Sequence, residues 1–135
     1  MPIGPTKEQI QTLIDSPLAT PVVMLNLLKF AGRAGGDGDR TESGRDSYAR
    51  YGERVRSMLE QTGARVLWQG RADSVVIGGD TDDWDAVILV EYPSRQAFLE
   101  MTSSPQYREV SKDRSAGLAD SRLIAMTELY RRTED

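Results

Sequence analysis

Two residue types with distinctive chemistry are missing from this sequence, which contains no cysteine and no histidine. Without cysteine the chain has no disulfide, no thiolate nucleophile and no thiolate metal ligand. Without histidine it lacks the commonest general base, the commonest metal ligand and the usual sensor of physiological pH. We therefore expect no metal site and no cofactor, and any acid–base chemistry falls to Asp, Glu, Tyr or Lys.

Long hydrophobic runs are also missing, because no stretch approaches the roughly 20 apolar residues that a membrane-spanning helix needs. The first residues, MPIGPTKEQIQ, have neither the basic start nor the apolar core of a signal peptide. The formal net charge of −4 repels phosphate backbones. These features predict a cytoplasmic protein with no membrane and no nucleic-acid partner.

Hydrophobic periodicity and helix caps predict the following secondary structure. The capping box of Thr6 and Gln9 begins a short helix that ends before Pro17. The further elements are a strand Val22–Phe30, a helix from about Arg45 to Thr62, a strand Ala64–Arg71 that bends at Gly70 and continues through SVVIGG, a strand Ala86–Tyr92, helices beginning at Ser94 and Ser104, and a strand Leu118–Tyr130.

After an extra N-terminal helix, this order is β-α-β-β-α-β, which predicts an α+β, ferredoxin-like domain spanning residues 1–135. Its antiparallel sheet carries helices on one face only. The strands around Leu25 and Leu89 are apolar on both faces, so the uncovered face needs a partner. We expect that partner to be a second copy of the chain, giving a homodimer.

Two loops are rich in glycine or aspartate. The segment AGRAGGDGDRTESG, residues 31–44, predicts a mobile surface loop that could close over a ligand. It lacks the G-K-[ST] of a phosphate-binding loop. The acidic hairpin GDTDDWD, residues 79–85, lacks the spacing of a calcium loop, which leaves a solvated turn as the interpretation.

Several segments together resemble the domain of unknown function 1330 family. They are GARVLWQGR (Gly63 to Arg71), VEYPSRQAFLEMTSSPQY (Val90 to Tyr107), and the pair Tyr48 and Tyr51. The resemblance implies a dimeric α/β barrel, in which two ferredoxin-like sheets pack face to face and each subunit encloses a pocket. The wider superfamily includes cofactor-free monooxygenases, isomerases and plain ligand-binding proteins, so the resemblance implies no particular reaction.

Asn26 is the most informative single residue, because it is an amide inside the apolar strand VVMLNLLKF. A buried amide without partners would destabilise the fold by roughly 1–3 kcal/mol. Asn26 therefore either faces a ligand or water in a cavity, or bonds a neighbouring polar group as a structural lock.

Three aromatic residues are further candidates for ligand contact. Tyr48 and Tyr51 are three residues apart, so they share one helix face and could donate hydrogen bonds into a pocket. Core packing is the alternative for both. Trp68 could form the wall of a pocket for a planar ligand, or pack at an interface.

Arg114 matches an arginine of the family pattern, which makes it a candidate anchor for an anion or a carbonyl. The alternative is a salt bridge to one of the many carboxylates. Asp85 and Glu91 are the carboxylates closest to apolar strands, and either could serve as a base if burial raised its pKa. Solvated charges are the alternative for both.

Three functions remain open at this point. The first is a dimeric protein that holds a small organic ligand between sheet and helices and acts as a cofactor-independent oxygenase- or isomerase-type enzyme. The second is a non-enzymatic metabolite-binding module, and the third is a purely structural dimer. The sequence does not decide whether the protein is an enzyme, and it identifies no catalytic residue.

Overall fold

The computed structural model describes residues 2–35 and 41–132 of the chain. The four strands are β1 (Val22–Phe30), β2 (Arg65–Arg71), β3 (Ala86–Tyr92) and β4 (Leu118–Met126). The four helices are α1 (Lys7–Ile14), α2 (Gly44–Thr62), α3 (Arg95–Thr102) and α4 (Pro105–Gly117). Residues 36–40 of the predicted mobile loop, and residues 133–135 of the tail, lie outside the described residues.

The strands form one sheet in the order β2-β3-β1-β4, and every neighbouring pair is antiparallel. This is the predicted ferredoxin-like α+β arrangement, with α1 as the predicted extra N-terminal helix. Strand β1 pairs with β3 on one side and with β4 on the other. Its residues are therefore the central row of the sheet.

The helices cover one face of this sheet. Side chains alternate between the faces of a strand, so Val22, Met24, Asn26 and Leu28 of β1 all point toward the helices. The buried core forms there. It consists of Val22, Met24, Val55, Met58, Ala64, Val90, Tyr92, Phe98 and Met101.

The helix boundaries follow the local sequence signals. Side-chain oxygens of Thr6, Ser43, Ser94 and Ser104 cap the four helices, and Thr6 forms the predicted capping box with Gln9. Helix α2 ends at Gly63, whose φ of 82° lies in the left-handed region that glycine adopts without a steric penalty. No helix in the described ranges is long and apolar enough to cross a membrane.

Two strand predictions were wrong at their ends. Strand β2 ends at Arg71 and does not continue through SVVIGG, where Val76 and Ile77 are almost fully exposed. The irregularity in β2 lies between Val66 and Trp68 rather than at Gly70. Strand β4 ends at Met126 instead of Tyr130. The β-branched or apolar residues beyond each strand end have no neighbouring strand to pair with. Their β propensity alone therefore does not extend the strand.

The other face of the sheet carries no helix and has an apolar centre. The register brings six residues together there: Leu25, Leu27, Trp68, Val87, Leu89 and Ile124. Charged clusters flank this apolar centre. Glu91 bonds Arg65 and Arg131 at one end, and Lys29 bonds Asp83 at the other. We call this surface the open face.

Helices α2 and α4 cross at very close range through two glycines. A Cβ atom on Gly44 would lie 2.6 Å from the carbonyl oxygen of Gly117, and it would also clash with the carbonyl oxygen of Ala31. The backbone N–H of Ala31 donates to the Gly117 carbonyl, and the N–H of Gly44 donates to the Ala31 carbonyl. The end of β1, the start of α2 and the end of α4 are thus joined through main-chain atoms.

Gly44→Ala is expected to destabilise the fold by roughly 1–3 kcal/mol, because the atoms that its methyl group would meet belong to the backbone and cannot rotate away. Gly52→Ala, in the middle of the same helix, is the control, because a Cβ atom at that position meets nothing within 4 Å. Alanine should stabilise that position by up to about 1 kcal/mol. Urea unfolding of both variants measures the difference, and equal stability would contradict the close crossing.

Candidate functional site

A cavity of about 1570 Å³ lies between the sheet and the helices. Strand β1 contributes Met24, Asn26, Leu28 and Phe30 to its wall. Helices α2 and α4 contribute the opposite wall, and residues 2–5 with helix α1 add to the lining. Most of this lining is apolar or aromatic, and polar and charged side chains, among them several arginines, are interspersed in it. Apolar walls with placed polar groups are typical of a small-molecule site.

Asn26 lies on the cavity side of β1 and is half-buried. Its amide nitrogen donates to two main-chain carbonyls, those of Met24 at 3.3 Å and Ile88 at 3.2 Å. These bonds fix the orientation of the amide, because only the nitrogen can donate. Within the described ranges no donor contacts the amide oxygen. Asn26 thus has the contacts of a structural lock and also lines the cavity.

Four aromatic rings form a continuous row along the cavity. Phe30 and Tyr48 have ring centroids 5.5 Å apart, Tyr48 and Tyr51 are 5.3 Å apart, and Tyr51 meets Tyr107 edge-on at 6.2 Å. The hydroxyl oxygens of Tyr51 and Tyr107 lie 3.0 Å apart and share a hydrogen bond. We call Phe30, Tyr48, Tyr51 and Tyr107 the aromatic row.

Burial keeps the tyrosines of α2 protonated. It raises the pKa of Tyr48 from 10.0 to about 12, although the positive charge of Arg114 partly opposes the change. Burial, followed by the effects of Tyr107, also raises the pKa of Tyr51 well above its ordinary value. At neutral pH both hydroxyls are hydrogen-bond donors or acceptors and not bases.

Arg114 approaches the same region from α4. Tyr107, Ser111 and Arg114 are spaced four and three residues apart, so they share one face of the helix, and all three line the cavity. The Arg114 guanidinium is half-buried and donates to the carbonyl oxygen of Ile3 at 2.8 Å. No salt bridge joins Arg114 to a carboxylate in the part of the chain that the structure describes.

Trp68 is separated from the other candidates by the thickness of the sheet. It pairs with Leu89 on the open face, its side chain is stacked against Gly70, and it is 57% exposed. The structure therefore brings Asn26, Tyr48, Tyr51 and Arg114 to one cavity but leaves Trp68 on the opposite face.

The two candidate carboxylates are engaged elsewhere. Burial pushes the pKa of Glu91 upward, but the hydrogen bonds and charges of Arg131 and Arg65 outweigh it and leave this pKa below the ordinary value. Glu91 is thus not a base of raised pKa. Asp85 lines the cavity, and its carboxylate accepts the backbone N–H of Phe30 at 2.8 Å. No group of three or more Asp or Glu residues among those described could hold a metal ion.

Sequence reasoning missed three parts of this cavity. Phe30 lies at the end of the recognised strand, and Tyr107 belongs to the Ser-Pro-x-Tyr turn, but neither was singled out as a site residue. The spacing of Tyr107 and Arg114, seven residues apart on one helix, was the available signal. The N-terminal segment gave no signal, because the hydrogen bond of Ser121 to the Pro2 carbonyl joins residues far apart in the chain.

Known proteins support the same fold. Residues 41–129 match a domain of unknown function, DUF1330. A protein of unknown function from Rhodopseudomonas palustris is 40% identical, with a TM-score of 0.88 over 96% of this chain and 98% of that chain. No curated protein matches the sequence.

Two more distant structures share the fold alone. SnoaB, a cofactor-independent oxygenase from Streptomyces nogalater, is 13% identical, with a TM-score of 0.54 over 85% of this chain and 97% of that chain. A dimeric protein of unknown function and ferredoxin-like fold from Bacteroides fragilis is 10% identical, with a TM-score of 0.51 over 82% and 98% of the two chains.

The fold therefore places this chain among the ferredoxin-like α+β proteins. Within that class, the match over residues 41–129 and the 40% identity to the Rhodopseudomonas palustris protein define its family. The chain belongs to the DUF1330 family, which confirms the resemblance found in the sequence.

The ionisation of Tyr48 can be tested by alkaline titration of tyrosinate absorbance. Tyr48→Phe is expected to remove an absorbance step whose midpoint lies near pH 12, the raised pKa of Tyr48. Absorbance that changes near pH 10.0, the ordinary tyrosine pKa, should stay unchanged. A pKa that is raised in the folded state stabilises the fold fully below the unfolded pKa, so this contribution is lost as the pH rises from about 10 through about 12.

Tyr130→Phe is the control for this titration, because Tyr130 is 85% exposed and is not a member of the aromatic row. Circular dichroism recorded in parallel separates ionisation from unfolding. Loss of a step near pH 10 in Tyr48→Phe would contradict the burial of this hydroxyl.

Proposed function

We propose that this protein binds a small, partly apolar organic molecule in the cavity between sheet and helices, and acts on it as a cofactor-independent oxygenase- or isomerase-type enzyme. The observation that carries the proposal is the convergence of Asn26, the tyrosine hydroxyls and Arg114 on one largely apolar cavity. Polar groups that converge in a largely apolar cavity are the usual means by which a small-molecule site orients its ligand.

The chemistry available there is electrostatic stabilisation and positioning. A substrate whose C–H next to a carbonyl is acidic enough to lose its proton to solvent water forms its own carbanion, and the negative charge then develops on the carbonyl oxygen. The Arg114 guanidinium and a protonated tyrosine would stabilise that oxygen, since both are donors fixed in a partly dehydrated site. The likeness in fold to SnoaB, a cofactor-independent oxygenase, is compatible with such a reaction.

A non-enzymatic metabolite-binding protein is the second candidate. It is favoured by the state of the titratable groups, because the cavity tyrosines are held neutral and the carboxylate of Asp85 already accepts the backbone N–H of Phe30. None of these groups is then poised to act as a base, and a substrate would have to ionise readily by itself. Turnover of a bound molecule in the presence of oxygen distinguishes the enzyme from the binding protein.

We also propose that two copies associate through their open faces. The apolar centre of this face, bordered by ion pairs, has the composition of a protein interface with an apolar core and a polar rim. Trp68 would then be an interface residue, since it lies in this apolar centre and is more than half exposed in the single chain.

Native mass spectrometry of the protein purified from its own host tests the ligand. We expect bound small-molecule mass on the wild type and none on Asn26→Leu. The variant should still fold, with a loss of roughly 1–3 kcal/mol, because leucine removes the amide donor from the carbonyls of Met24 and Ile88 but has a similar size.

Gln61→Leu is the matched control, since Gln61 is an exposed amide on α2 that does not line the cavity. It should retain the bound mass. A wild-type protein with no added mass, and with no thermal shift from any member of a metabolite library, would contradict the proposed function. Strong destabilisation of Asn26→Leu would instead assign Asn26 to the structural role alone.

Light scattering at micromolar concentration tests the dimer. The wild type should have twice the mass of one chain, and Leu89→Glu should be monomeric because it buries an unpaired charge between Leu25 and Trp68. Ile14→Glu changes an exposed apolar residue of α1 on the helix side and should remain a dimer. A monomeric wild type would remove the proposal.

A further inference from the structure

The charge lining the cavity is opposite to the charge of the chain. The protein has a net charge of −4, yet the cavity lining contains six arginines and only two carboxylates, Glu53 and Asp85, among the described residues. Glu53 is exposed, and Asp85 accepts a backbone N–H. The cavity thus has a local excess of positive charge, which favours a negatively charged ligand.

Arg114 is the arginine best suited to bind such a ligand. Arg71 and Arg122 form ion pairs with Asp73 and Asp120, and Arg45 and Arg56 are exposed to solvent. Arg95 is buried and donates to the hydroxyls of Thr20 and Thr127, whereas the charge of Arg114 acts on Tyr48 and Tyr51 of the aromatic row. Arg114 is half-buried, and it donates to the neutral carbonyl of Ile3. A cation that is shielded from water and contacts only a neutral acceptor gains more interaction free energy from a carboxylate than an exposed cation does.

The neighbours of Arg114 are donors as well. The raised pKa of Tyr48 keeps its hydroxyl protonated, and both this hydroxyl and the Arg114 guanidinium belong to residues that line the cavity, so each can donate to a ligand oxygen. The aromatic row next to them offers apolar ring edges and faces, with ring centroids 5.3 to 6.2 Å apart and neighbouring rings tilted against one another. A ligand that fits these contacts combines an anionic oxygen with an apolar body.

We propose that the ligand of this cavity is an organic anion, whose carboxylate or enolate oxygen binds Arg114 in place of the Ile3 carbonyl while its apolar body lies along the aromatic row. This inference rests on the proposed function and names the chemical class of its ligand. The fork of the guanidinium suits the two oxygens of a carboxylate, whereas the single Ile3 carbonyl uses only one of its donors.

A pair of probes of equal shape and different charge tests this class. Calorimetric titration compares naphthoate with the uncharged naphthamide. The wild type is expected to bind naphthoate at least about tenfold more tightly, as charge-assisted hydrogen bonds exceed neutral ones. Arg114→Met should abolish this preference, and Arg114→Lys should leave a preference of intermediate size because it keeps the charge without the planar fork.

Arg108→Met is the matched control, because Arg108 is an exposed arginine of the same helix that does not line the cavity. It should keep the full preference for naphthoate. Two outcomes would overturn the proposal that the ligand is an anion while leaving the proposed binding function intact. One is equal affinity of the wild type for both probes, and the other is an undiminished preference for naphthoate in folded Arg114→Met or Arg114→Lys. Binding of neither probe at millimolar concentration would overturn both.

Discussion

Strand β1 is hydrogen-bonded along both edges, and the rest of the structure depends on this central position. Because β3 and β4 fix its register from two sides, its alternate side chains cannot exchange faces without a shift of the whole sheet. One strand therefore supplies Met24, Asn26 and Leu28 to the helix side, and Leu25 and Leu27 to the open face. The amide of Asn26 is oriented by the same pairing, since one of its acceptors is the carbonyl of its cross-strand partner Ile88.

The second constraint is the close crossing of α2 and α4. Their contact through Gly44 and Gly117 brings the two helix faces together above the sheet, one carrying Tyr48 and Tyr51 and the other Tyr107 and Arg114. Neither helix carries the complete set of polar groups. The electrostatics of the cavity follows from this packing, because burial that holds the tyrosines neutral also places them beside a cation.

The fold was predictable from the sequence to a large extent because its signals are local. Hydrophobic periodicity and helix-capping residues located every strand and helix. Thr6, Ser94 and Ser104 cap helices in the structure, as the sequence predicted. The strand ends were less predictable. SVVIGG has strong β propensity but no neighbouring strand, and pairing is a property of the sheet and not of the segment.

The cavity was predictable only in part, for a related reason. Helical spacing identified Tyr48 and Tyr51, but the contact of Tyr51 with Tyr107 joins residues 56 positions apart, and that of Arg114 with Ile3 joins residues 111 apart. No periodicity encodes such contacts. The face of the sheet on which Trp68 lies was equally hidden, because the irregularity beside it moves its side chain relative to Val66.

These long-range contacts also restrict what the cavity can bind. No buried side-chain nitrogen or oxygen among the described residues lacks a hydrogen-bond partner, so the polar groups of the cavity do not depend on a ligand for the stability of the fold. The nitrogen of Asn26 is held by carbonyls, which leaves its amide oxygen as an acceptor, and Arg114 donates to the neutral Ile3 carbonyl, which the proposed anionic ligand would replace. Because these groups are already oriented, the proposed ligand would lose little ordering entropy on binding, and its selectivity would rest on matching one acceptor and one cation.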